Sequence, residues 1–140
     1  MDIEKLIQKL MESNDFFDHF TKLEIGELLK CCHAKTFNDR DFVFREGTKG
    51  SEFYIIVSGS IVVTKKGKKI DIVREGECIG EMGALGGEIR SASAEVIGKA
   101  TMLKVESANI DNLPYNVQAK LFKNITLLIS NRLRKRLGHT

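Results

Sequence analysis

Residues 78–94, CIGEMGALGGEIRSASA, surround Glu81 and Arg90 with four glycines and a scatter of alanine and serine. So little side-chain bulk lets backbone N–H groups approach a bound molecule that a Cβ would hold away. A short helical turn over residues 82–85 would aim its unpaired first amides, around Gly83 and Ala84 with Gly80 and Met82 beside them, at one point, which makes an anion site. Arg90 adds a planar fork able to grip two phosphate oxygens, and Ser91 adds a hydroxyl donor. Glu81 accepts but does not donate when ionised, so it would leave the phosphate alone and suit a sugar hydroxyl. The chemistry expected here is recognition of one anion and one hydroxyl a few ångströms apart.

The elements that must position these residues follow from period changes along the chain. The first 33 residues read as helical: Leu6, Ile7, Leu10 and Met11 recur at helical spacing, and Thr21-x-x-Glu24 is a capping box opening a second helix with Leu28 and Leu29 on its apolar face. Over residues 35–106 the segments are short and rich in β-branched or aromatic residues, such as EFYIIVSGSIVVTKK, KKIDIVREGE, SASAEVIG and ATMLKVE, with glycine-bearing turns between them. That spacing predicts an antiparallel barrel or jelly roll, with KKGKK around Gly67 as a solvated hairpin tip. After Pro114, Val117, Leu121, Ile125, Leu128, Ile129 and Leu133 trace one apolar stripe on a helix of about six turns. The fold class is therefore mainly β with flanking helices, a single domain over residues 1–140: helices to residue 33, a jelly roll over 35–106 carrying the glycine-rich segment, and helices over 107–140.

Composition narrows the function classes. No window approaches the roughly 18 apolar residues of a membrane span, and the N-terminus lacks a signal-peptide core, so a cytoplasmic protein without membrane contact is expected. RLRKR at residues 132–136 carries four cations, more than the chain's whole net charge of +3, so the body is slightly acidic and no direct DNA binding is expected; the tail reads as a solvated helix end. Cys31, Cys32 and Cys78 are too few and too poorly placed for a disulfide framework, and helical spacing of Cys31, Cys32 and His33 would not converge on a metal. His19, His33 and His139 all lie outside the strand region, so neither metal-dependent jelly-roll chemistry nor phosphodiester hydrolysis has its ligands, and no nucleophile is paired with a base. No enzyme, no metal and no cofactor are expected.

One phosphate and one sugar hydroxyl close together describe a cyclic nucleotide with a free ribose 2′-OH. Gly80-Glu81-Met82-Gly83-Ala84-Leu85 followed by Arg90-Ser91-Ala92-Ser93-Ala94 resembles the phosphate-binding cassette of the cyclic nucleotide-binding domain family, which includes bacterial catabolite activator proteins and regulatory subunits of cyclic-AMP-dependent kinase. Gly47, Gly59 and Gly76 stand where the family's strand turns need glycine, so the likeness runs through nearly the whole chain. It implies an eight-stranded jelly roll, Glu81 on the ribose 2′-OH, and Arg90 on the cyclic phosphate with Ser91 and the Gly83 and Ala84 amides. It also implies a base resting on Val63, Ile70 and Val73, with Arg136 and Thr140 as lid contacts. The implied ligand is cAMP, with cGMP second. The implied role is a sensor that signals through its C-terminal helix to an effector the sequence does not name, as a homodimer paired along that helix. The activator branch places a helix-turn-helix after this helix, and the sequence stops a few residues past it, which suggests a free-standing domain. The alternatives are a ligand-free interaction module of the same fold and a transcription regulator acting through a partner.

Overall fold

The computed structural model describes residues 2–84 and 89–138. Helix α1 (Ile3–Ser13) is capped by the Asp2 carboxylate on the Glu4 amide, and a 3-10 turn (Asp15–Phe17) follows, capped in the same way by Asn14. Helix α2 (Lys22–Leu29) opens on the expected capping box, with both the Thr21 and Glu24 side chains engaged. Helical structure ends earlier than the apolar spacing predicts. Cys32 and His33 begin strand β1 (Cys32–Phe37), so they project to opposite sides of a strand instead of following a helix, and the Cys32 thiol bonds back to the Leu28 carbonyl.

Five further strands complete one antiparallel sheet wrapped into a roll: β2 (Phe42–Phe44), β3 (Glu52–Lys65), β4 (Lys68–Arg74), β5 (Cys78–Ile79) and β6 (Ser93–Glu106). β6 lies between β1 and β3, β4 lies on the far side of β3, and β2 and β5 pair with β6 and β3 respectively. Six described strands stand where family resemblance implies eight: β6 runs unbroken for 14 residues through what were read as two segments, SASAEVIG and ATMLKVE, and β3 is likewise one strand of 14 residues. Their register slips where Gly59 faces residues 98–100, and a Cβ on Gly59 would lie 2.6 Å from the Lys99 carbonyl oxygen. Gly59 and Gly98 both have positive φ, so the paired strands bend together and the ladder survives the corner. The β3–β4 hairpin turns at Lys66 and Gly67, both at positive φ, as the KKGKK tip requires.

Strand alternation splits the core into two layers. Phe53, Ile55 and Val57 of β3 face α1, α2 and the long helix, while Tyr54 and Ile56 point into the roll with Ile61, Val73, Ile79 and Met102. After a four-residue helix α4 (Ser107–Ile110), helix α5 (Tyr115–Arg136) buries Val117, Leu121 and Ile125. The stripe does not stay buried to its end: Leu128 and Ile129 are half-buried and Leu133 is 56% exposed, because the helix has by then passed the other helices and reached the open side of the roll. Among the described residues no helix is long and apolar enough to cross a membrane.

The first part of α5 is locked in place by polar contacts as well as by its stripe. Lys120 donates to the Glu24 carboxylate and to the His19 carbonyl, Asn116 donates to the other Glu24 oxygen, and Asn124 donates to the Phe16 carbonyl. The Lys120 ammonium and then the Thr21 amide hold the Glu24 carboxyl down at about 2. Between its ordinary value of 4.5 and about 2, the unfolded chain binds the proton that the folded chain refuses, so folding stability drops as pH falls through that window. Urea denaturation from pH 5 to about 2 should show this drop in the wild type and a shallower one in Glu24→Gln; parallel slopes would remove Glu24 from the account.

Candidate functional site

Pairing of β5 with Tyr54 and Ile55 brings the glycine-rich segment against the start of β3. Gly80 turns the chain at positive φ, and helix α3 (Glu81–Ala84) begins at the acidic residue, which is the short turn expected there. Residues 85–88, including Leu85, lie outside the described residues. The chain returns at Ile89, which bridges Lys49; Arg90 is fixed by backbone bonds to both Gly47 and Thr48, and Ser91 leads into β6.

Arg90 is 5% exposed although it carries a charge. Its Nη2 donates to the Glu52 carbonyl at 2.7 Å and lies 3.1 Å from the Glu52 carboxylate, its Nη1 reaches the Gly80 carbonyl, and the guanidinium lies 4.4 Å from the centre of the Phe44 ring. Burial works to raise Glu52, but its own amide and the Arg90 charge outweigh it and hold the carboxyl below its ordinary value. Two glycines make room for the guanidinium: a Cβ on Gly50 would sit 2.5 Å from Nη2, and one on Gly80 would sit 2.9 Å from Nη1. Among the described residues Nε of Arg90 is buried and has no partner. A desolvated donor left unpaired is costly, and an acceptor oxygen entering the cavity would satisfy it.

Glu81 is equally enclosed, at 8% exposed. Its Oε1 accepts from Arg132 Nη1 at 2.6 Å, and the other arm of Arg132 donates to the Cys78 carbonyl and faces Glu77 at 3.8 Å. The basic segment is thus not simply a solvated helix end. Arg132 falls seven residues after Ile125, two turns further along the buried stripe, and that periodicity was the signal available in the sequence. Glu52, Phe44 and Gly50 carried no such signal, because only folding brings them to Arg90.

Both charged groups border one cavity of about 380 Å³. Gly80, Met82 and Ser91 line it beside them; Val63, Ile70 and Val73 form the strand wall opposite, and Arg136 lies at the helix side with Ile129 and Leu133. The structure therefore gathers the polar and the apolar candidates around a single space. Gly83 and Ala84 lie in α3, and Thr140 lies outside the described residues.

A sequence profile described as the cyclic nucleotide-binding domain matches residues 34–114, more than half of the chain. The chain belongs to the cyclic nucleotide-binding domain family. A cGMP-dependent protein kinase of Eimeria tenella is 28% identical over 120 residues, which is 86% of this chain and 12% of that kinase. A cAMP-dependent protein kinase regulatory subunit of Dictyostelium discoideum is 26% identical over 129 residues, covering 86% of this chain and 39% of the subunit. The chain thus spans a minor part of these relatives' length. Among solved structures, a cyclic nucleotide-binding domain from Methylobacillus flagellatus superposes with a TM-score of 0.81 at 21% identity, over 94% of this chain and 80% of that one, which establishes the shared fold.

The packing around Arg90 generates a direct test. Gly50→Ala should expel the guanidinium from its seat and break its contacts to Glu52, lowering stability by roughly 1–3 kcal/mol in a denaturant midpoint. An unchanged midpoint together with an unmoved Arg90 Nε resonance would show that the seat has slack.

Proposed function

We propose that this domain binds a cyclic nucleotide, cAMP before cGMP, and passes its occupancy to helix α5. The observation that carries the reading is the buried Arg90, whose Nε has no partner among the described residues, facing the same cavity as the buried Glu81. A cyclic phosphate at Nε would receive a charge-assisted hydrogen bond in a seat from which water is largely excluded, with the Ser91 hydroxyl beside it. A ribose 2′-OH would donate to Glu81, whose one oxygen Arg132 already occupies. Hydroxyl and helix would then share one carboxylate. The purine would lie on Val63, Ile70 and Val73, with Arg136 above it.

Sharing gives the domain a means of signalling. The first part of α5 is pinned to α2 by the Lys120–Glu24 pair and to the 3-10 turn by Asn124, whereas the segment from Ile129 onward rests on the cavity and is tied there through Arg132. A ligand that draws on the Glu81 charge weakens that tie and shifts the helix end between two positions. Leu133 and Leu137 are exposed on this segment and, with Leu127 just before it, form the surface that an effector or a second copy of the chain would cover.

One observation favours the ligand-free interaction module: Glu81 and Arg90 each already have a partner of opposite charge within the chain. Calorimetric titration separates the two readings. Binding of cAMP at micromolar or lower concentration, weakened about tenfold to 150-fold in Arg90→Ala, is expected for the sensor from the worth of a charge-assisted bond. Glu81→Ala should in addition erase the preference for cAMP over 2′-deoxy-cAMP. No heat with either nucleotide, and no thermal stabilisation, would leave the interaction module standing.

A further inference from the structure

The strand wall of the cavity is not uniformly apolar. Val73 and Asp71 of β4 stand two residues apart and so share a face; Val73 lies inside the roll, opposite Ile61, and Asp71 lies opposite Val63. The ladder slips by one residue between Val63 and Thr64, so β4 holds an extra residue there, and both Ile70 and Asp71 border the cavity. A carboxylate is thereby set into a wall otherwise built from Val63, Val73, Ile70 and Ile79.

Nothing in the fold calls for an acid at this point. Aspartate is disfavoured in strands, and a carboxylate beside aliphatic side chains loses solvation that only donors replace. Asp71 has one such donor, the neighbouring Ile72 amide at 2.8 Å on Oδ1. Among the described residues no cation pairs with it, although Lys65, two residues beyond Val63 on the same face of β3, borders the same cavity. The other two acids in play are engaged: Glu52 holds Arg90, and Glu81 holds Arg132. Asp71, unlike them, has no cation partner among the described residues and keeps acceptor capacity on the base side of the cavity.

We infer that Asp71 reads the base, accepting a hydrogen bond from an exocyclic amine of a purine. The assignment rests on the cyclic nucleotide reading above. With the phosphate at Arg90 and the ribose at Glu81, the base extends toward Val63, Ile70 and Val73, and its edge meets the carboxylate set between them. An ionised carboxylate accepts and never donates, so it favours an edge that carries N–H and penalises one that carries only acceptors. Discrimination comes from the acid, whereas the aliphatic neighbours hold any flat base alike.

The test is titration of wild type, Asp71→Ala and Asp71→Asn with three ligands: cAMP, cGMP and the 3′,5′-cyclic monophosphate of unsubstituted purine riboside, whose base has no N–H donor. Wild type should prefer an amine-bearing ligand to the unsubstituted one by about tenfold or more, in line with a hydrogen bond to a charged group. Asp71→Ala should abolish that preference while leaving the unsubstituted ligand within about twofold, and Asp71→Asn, which retains an acceptor oxygen, should fall between. Loss for cAMP alone assigns the amine at purine C6; loss for cGMP alone assigns the guanine edge formed by N1–H and the C2 amine. An equal loss for all three ligands, or none for any, overturns the inference while the nucleotide reading stands. If wild type binds none of the three, the nucleotide reading falls and takes this assignment with it.

Discussion

The ion pair between Glu81 and Arg132 is the contact on which the arrangement turns. It joins the four-residue helix α3, at the floor of the cavity, to the longest helix, which ends over it, and it does so at 2.6 Å with the carboxylate almost fully enclosed. Buried pairs of this kind add little net stability over apolar packing, but removing one partner strands the other charge, so they fix position strongly. Without Arg132 the segment of α5 beyond Ile129 would rest only on half-exposed aliphatic contacts. Without Glu81 it would have no charged anchor in the cavity.

Arg90 poses the complementary problem and solves it differently. Its guanidinium is seated before any ligand arrives by Glu52, the Gly80 carbonyl and the Phe44 ring, in space that Gly50 and Gly80 leave open. A preorganised donor loses little freedom on binding, which is the condition under which a single charged contact contributes most. The two charges thus differ in kind. Arg90 is held wholly by the roll, while Glu81 is shared with the end of α5.

Much of this was legible in the chain. Period-two and period-3.6 patterns marked the sheet and the helices, Thr21-x-x-Glu24 marked the start of α2, and the order of Glu81, Arg90 and Ser91 among small residues marked the site. What escaped has a common physical cause. Glu52 and Phe44 reach Arg90 from 38 and 46 positions away in sequence, through strand pairing that no local pattern encodes. The merging of SASAEVIG and ATMLKVE into the single strand β6 depends on Gly98 bending together with Gly59 of β3, whereas Gly98 alone reads as a turn. Cys32 and His33 were assigned to a helix because cysteine packs equally well in either setting. Arg132 was visible as a charge but not as a contact, since a cation near a helix C-terminus is ordinarily explained by the helix dipole.

The central claim is that a ribose hydroxyl and Arg132 compete for one carboxylate and that the end of α5 reports the outcome. Amide hydrogen exchange of residues 129–136, measured with no ligand, with cAMP and with 2′-deoxy-cAMP at saturation, tests it most directly. The account predicts faster exchange in that segment with cAMP, little change with the 2′-deoxy ligand, and unchanged protection over residues 116–125 in every case. Equal protection of residues 129–136 in all three states, with cAMP demonstrably bound, would contradict it.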